Sequence, residues 1–202
     1  MDDTFRTIKE TAEGAITEKK SKFIAYAVPV NDIGQVKSIV EKYRKQYYDA
    51  RHVCWAYMIG PEYKEFRAND DGEPSGTAGK PILGQINSNS LTDIIVLVIR
   101  YFGGIKLGTS GLITAYKAAA ADVLANAEII EKTVDTAFSF KFEYPFLNDV
   151  MKIVKDMEPQ IVSQQFDMDC EMTLSIRRAS SGQLNDRLSK VETLHFLEPD
   201  CP

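Results

Sequence analysis

The chain is poor in the residue types on which much small-protein chemistry depends. Only two histidines and three cysteines occur in 202 residues. Cys54, Cys170 and Cys201 are too unevenly spaced for a disulfide framework, and no cluster supplies four ligands at zinc-finger spacing. No apolar run approaches the roughly 18 residues that cross a bilayer. The opening MDDTFRTIKE is too charged for a secretory signal. The expectation is a cytoplasmic, reduced protein with no membrane partner. Basic excess is missing too. Lys and Arg number 24 against 29 Asp and Glu, a formal charge of −5, so the broad cationic footprint usual for nucleic-acid binding is absent. The deficit is uneven: up to Lys132 the counts are 17 and 17, and beyond it 7 and 12. A change of charge at one point suggests two units, 1–132 and 133–202. The basic clusters that remain, Lys19, Lys20 and Lys22, then Lys42, Arg44, Lys45 and Arg51, read as solvated faces.

The chain is long enough for two small units that each bury a core. In the last third, 133–143 alternates like a strand. Pro145 then opens a helix with Phe146, Val150, Ile153, Val154 and Met157 on one stripe. Two strands, 160–167 and 170–177, follow. Ser180 with Gln183 resembles a capping box ahead of Leu184, Leu188 and Val191, and 192–197 reads as a last strand. This β-α-β-β-α-β order is that of a ferredoxin-like domain. In the first 132 residues, 22–30 reads as a strand, Asp32 as the cap of a helix carrying Ile33 to Tyr47, and 51–59 and 63–67 as paired strands. Thr77 is the expected N-cap of a helix with Pro81 in its opening turn and Ile82, Leu83 and Ile86 inward. The run 94–99 is apolar throughout, as in a strand covered on both faces. An alanine-rich helix, 110–126, comes after it. The whole is an α+β chain.

What the sequence has in abundance is glycine in one place. Eight of twelve glycines lie between Asp70 and Leu112, in the loops DDGEPSGTAGKP and RYFGGIKLGTSG. Such density serves either tight turns or a surface that something must approach closely. Both loops lead into predicted helices, so each offers unpaired N–H groups and a positive dipole end, suited to an anion. Arg100 and Lys106 add charge; Ser75, Thr77, Thr109 and Ser110 add hydroxyls. A Walker A loop is excluded, because Pro74 stands where its first glycine belongs and Pro81 follows Lys80. Neither loop matches G-x-G-x-x-G. Asp70, Asp71 and Glu73 suit either Mg²⁺ or a turn. His52 and Cys54 share a strand face, where they form either a nucleophile pair or core. Trp55, Tyr57, Tyr101 and Phe102 either stack on bases or fill the interior.

The loops DDGEPSGTAGKPIL and VIRYFGGIKLGTSGL, with KKSKFIA and ARHVCWAY before them, resemble the signatures of the IMPACT family in its bacterial, YigZ-like branch. The resemblance spans most of residues 19–125. It implies an N-terminal α+β sandwich like domain two of ribosomal protein S5, followed by a ferredoxin-like domain similar to the fifth domain of elongation factor G. It also implies a role in translation, which in eukaryotic relatives is exerted under amino-acid starvation by competition for the activator of an initiation-factor kinase. The expectation is a non-enzymatic regulator with no cofactor and no metal, binding ribosome, structured RNA or a translation-associated protein. Its surface would comprise Asp70, Asp71, Gly72, Glu73, Ser75, Gly76, Thr77, Gly79, Lys80, Arg100, Tyr101, Gly103, Gly104, Lys106, Gly108 and Ser110. The alternative is an enzyme that acts on a phosphorylated or peptide substrate and uses the loops as an anion site.

Overall fold

The computed structural model describes residues 3–167 and 169–197; Cys201 lies outside them. Contacts divide the chain into Phe5–Lys132 and a second unit that gathers Thr133 onward with the segment ahead of Phe5. No described helix is long and apolar enough to cross a membrane.

The first unit is built on a five-stranded antiparallel sheet. In spatial order its strands are β2 (Ala12–Glu18), β3 (Ser21–Pro29), β6 (Ile94–Tyr101), β4 (His52–Ile59) and β5 (Glu65–Asn69). β6 is central, and Ile94 to Ile99 are all 0% exposed, each contributing about 2 kcal/mol of apolar burial. A strand apolar on both sides needs cover on both. Helix α1 (Ile33–Gln46) supplies one cover through Val36 and Tyr43 against Tyr26, Trp55 and Tyr57. Helices α2 (Gly79–Ser88) and α3 (Gly108–Asn126) supply the other, where Ile82, Ile86, Tyr116 and the alanines of α3 meet Phe23, Cys54 and Val98. Small side chains let α3 lie close to the sheet. Asp32 caps α1 as expected, accepting from the N–H of Gln35 at 2.8 Å. A further pair, β1 (Thr4–Ile8) and β7 (Ile129–Thr133), forms a separate two-stranded sheet.

The second unit runs β8 (Asp135–Glu143), a 3₁₀ turn at Tyr144–Phe146, α4 (Leu147–Met157), β9 (Gln160–Gln165), β10 (Asp169–Arg177), α5 (Arg178–Leu188) and β11 (His195–Phe196). The sheet order is β11-β8-β10-β9, antiparallel throughout. Phe140, Phe142, Met172 and Leu174 pack under Val150, Ile153 and Leu184 of the helices. The opposite face is polar, with Ser139 and Thr173 hydroxyls 2.9 Å apart and Lys141 paired with Glu171 at 3.2 Å.

Three local expectations are corrected. Ala78, not Thr77, occupies the cap position of α2, and the Thr77 hydroxyl donates instead to the Pro74 carbonyl at 2.7 Å. Ser180 lies inside α5, which has no side-chain cap. The last strand shrinks from six residues to His195–Phe196, which pair with Lys141 and Phe140 at the edge of β8.

Candidate functional site

Strand register brings the site together. His52 on β4 and Phe23 on β3 both lie opposite Arg100 on β6, and alternation puts Cys54 on the same face as His52. Tyr116 comes down from α3 onto that face, with its ring edge-on to Phe23 at 5.2 Å. The first glycine loop inserts Glu73 among them. Its Oε1 accepts from Arg100 Nη1 at 2.6 Å and from the Tyr116 hydroxyl at 2.8 Å. The Arg100 and Glu73 side chains are 8% and 4% exposed. His52 Nδ1 donates to the Asp71 carbonyl at 2.7 Å, which leaves Nε2 turned toward Glu73 Oε2 at 4.0 Å. The Cys54 thiol lies 3.0 Å from the Asp70 carbonyl and 3.3 Å from the Tyr116 hydroxyl. Burial, with neighbouring acidic groups, pushes the Cys54 thiol and the Tyr116 phenol well above their ordinary values. Both groups are thereby biased toward their protonated forms, and Cys54, at 0% exposure, is closed to an arriving substrate.

The first loop's other carboxylates are also committed internally. Asp70 Oδ1 accepts from the N–H groups of Ala78 at 3.0 Å and Gly79 at 2.8 Å, and Oδ2 from Gly76 at 2.8 Å. Asp70 thus caps α2 from nine residues upstream. Burial alone raises its carboxyl, but the N–H groups of Gly76, Gly79 and Ala78, with Lys80, outweigh it and hold the group below the usual carboxylate range. Asp71 pairs with Arg44 and accepts from the Val53 N–H at 2.7 Å. Among the described residues, no three His, Cys, Asp or Glu side chains converge as a metal site.

Between the loops lies a hollow of about 420 Å³. Gly72, Glu73 and Pro74 of the first loop form one wall. Arg100, Phe102, Lys106 and Leu107 of β6 and the second loop, with Gly108, Thr109 and Leu112 opening α3, form the other, and Arg51 and His52 complete it. Gly108 sits at φ +73, backbone that glycine adopts without strain. Among the described residues no side chain accepts from the opening N–H groups of α3, which have no intrahelical partners either. Among the described residues, Arg51 and Lys106 form no ion pair.

Of the sixteen residues singled out in the sequence, Gly72, Glu73, Arg100, Lys106 and Gly108 line this hollow. Asp70, Gly76 and Gly79 form the internal cap. Asp71 faces Arg44. Thr77 is buried, while Ser75, Lys80 and Gly104 are exposed away from the hollow. The Tyr101 hydroxyl donates to Asp49 at 2.7 Å, which pushes the phenol up to about 12. Gly103 packs on the Lys20 backbone, where a Cβ would come within 2.0 Å. Ser110 is exposed on α3 and shares a smaller recess, of about 270 Å³, with Ile16 and Glu18. The hollow also uses Arg51, His52, Pro74, Phe102, Leu107, Thr109 and Leu112, which the expected surface omitted. The signal for His52 was its strand alternation, which placed it on a face with Cys54 but did not reveal Arg100 opposite.

Fold and hollow together define a two-unit α+β protein whose first unit carries a ready-formed, cation-rimmed recess between two glycine loops. The family model of the Impact N-terminal domain matches residues 19–124. IMPACT family member YvyE of Bacillus subtilis is 36% identical over 155 residues, 77% of this chain and 71% of its own. IMPACT family member YigZ of Escherichia coli is 31% identical over 173 residues, 85% of each chain. A crystal structure described as that of a hypothetical protein superposes over the whole of both chains with a TM-score of 0.77 at 27% identity. The chain belongs to the IMPACT family.

Proposed function

We propose that this protein is a non-enzymatic regulator of translation that docks ribosome, structured RNA or a translation-associated protein at the hollow between its glycine loops. The observation that carries the reading is the convergence of both loops on one recess whose wall holds two cations, Arg51 and Lys106, that form no ion pair among the described residues, in a chain of net charge −5. Family membership supports the translation part, since the resemblance implied that role. Phosphate or carboxylate groups would meet Lys106, Arg51 and the open end of α3. Arg100 is committed to Glu73 and shapes the wall. The test is co-sedimentation with ribosomes. An Arg51→Ala, Lys106→Ala double variant with unchanged thermal stability should lose it, and unaffected sedimentation would count against the hollow.

The enzymatic alternative has one observation in its favour, the approach of His52 Nε2 to Glu73 Oε2 at the floor of the hollow. It predicts thermal stabilisation by ATP with Mg²⁺ that is abolished by His52→Ala. No shift with nucleotide and metal would leave the binding reading alone.

A further inference from the structure

We propose that the hollow is a site for a phosphate monoester, the group shared by a free nucleoside 5′-monophosphate and the 5′-phosphorylated end of an RNA strand. This rests on the reading of the hollow as the recognition site and names what it recognises.

Two helices begin at the glycine loops, and only one end is open. At α2 the N–H groups of Gly76, Ala78 and Gly79 are already held by Asp70 at 2.8 to 3.0 Å, so an arriving anion would have to displace an internal carboxylate. At α3, among the described residues, no side chain caps the first turn. Thr109 adds a hydroxyl there, and Lys106 precedes it on the same wall.

The charge balance of the hollow points the same way. Its wall carries Arg51, Arg100 and Lys106 against Glu73 alone. Glu73 is matched by Arg100 at 2.6 Å, so two cations stand in surplus. The Arg100 side chain is only 8% exposed, yet its Nε has no hydrogen-bond partner. That Nε is sealed from the recess, so the charge available to a ligand is that of Arg51 and Lys106. A carboxylate matches one cation, and so does a backbone diester. A monoester, at about −1.5 to −2 near neutral pH with three terminal oxygens, matches two cations and a helix end together.

The remaining wall fits what the phosphate carries. Phe102, 49% exposed, with Leu107, Leu112 and Pro74, offers an apolar face beside the cations, as base stacking requires. His52 Nε2 and Glu73 Oε2, 4.0 Å apart on the floor, provide acceptors for ribose hydroxyls. A volume of about 420 Å³ suits one nucleotide rather than a duplex.

The test uses the full chain in isothermal titration calorimetry at low salt, with adenosine, its 5′-monophosphate, and one short oligoribonucleotide bearing either a 5′-phosphate or a 5′-hydroxyl. The phosphorylated member of at least one pair should bind saturably and about tenfold or more tighter than its unphosphorylated twin, with Lys106→Ala and Arg51→Ala each weakening it about tenfold. Binding of the mononucleotide identifies a free nucleotide as the source, and binding of the oligonucleotide alone identifies an RNA end. Equal binding within both pairs, no saturable binding, or indifference to both substitutions would overturn the proposal. Failure here with intact, Lys106-dependent ribosome co-sedimentation removes this inference only. Phosphate-dependent binding without co-sedimentation removes the translation reading instead.

Discussion

At the scale of single residues, Glu73 has the largest predicted consequence. Its carboxylate is the counter-charge of a guanidinium that is 8% exposed, and removing one partner of such a pair leaves the other buried and uncompensated. Glu73→Gln should lower unfolding stability by about 3 to 5 kcal/mol in urea titration. The double change with Arg100→Met should cost less than the sum of the single changes. Arg100→Ala is consequently a folding variant before it is a binding variant. Asp70 makes a pH-dependent contribution. Its carboxyl is held below the usual range in the folded chain, so the stability it confers is complete above the unfolded value, about pH 4. That stability is lost as pH falls through the lower folded value. Asp70→Asn should therefore destabilise by about 1 to 2 kcal/mol at neutral pH. The gap from the parent protein should narrow under acid, as paired denaturation curves would show. Cys54, at 0% exposure with its thiol pushed up, should resist iodoacetamide in the native state and label only on unfolding, as read by peptide mass spectrometry.

At the scale of elements, the glycine loops hold position by close approach as much as by turning. A Cβ on Gly103 would lie 2.0 Å from the Lys20 carbonyl carbon and oxygen, and backbone there cannot yield cheaply. Gly103→Ala should cost about 1 to 3 kcal/mol and displace the second loop, weakening whatever binds the hollow along with the fold. Thermal denaturation of this variant beside Gly104→Ala, which meets nothing within 4 Å but sits at φ +87, would separate packing from backbone strain. Most elements were legible because their cause is local. Six apolar residues in a row announced β6, Asp32 announced α1, and the stripe from Val150 to Met157 announced α4. The cap of α2 was not legible. Thr77 satisfies the local rule, but Asp70 reaches the same N–H groups through a folded loop, and no window centred on the helix start contains that geometry. Ser180 failed for a related reason, since α5 begins directly where β10 ends, at Arg177 and Arg178.

At the scale of the whole molecule, charge sets the character of any association. Its acidic surplus lies beyond Lys132, and the hollow carries only two cations that form no ion pair among the described residues. Binding of RNA should accordingly depend weakly on salt. The slope of log K against log salt should be about −1.4, two contacts at about −0.7 each for a single strand. A slope several times steeper in filter binding would mean that a surface other than the hollow makes the contact. What the sequence by itself determined was most of the run of strands and helices, β1, β2 and β7 apart, the apolar faces that close each core, and the concentration of glycine around residues 70–112, because each depends on neighbours within a few positions. Which helix end stays open, and which cations stay unpaired, only the tertiary structure decided. Asp70 and Gly79 are nine residues apart, Glu73 and Arg100 twenty-seven, Glu73 and Tyr116 forty-three. Pairings over such distances are chosen by strand register and packing, which no local pattern of residues contains.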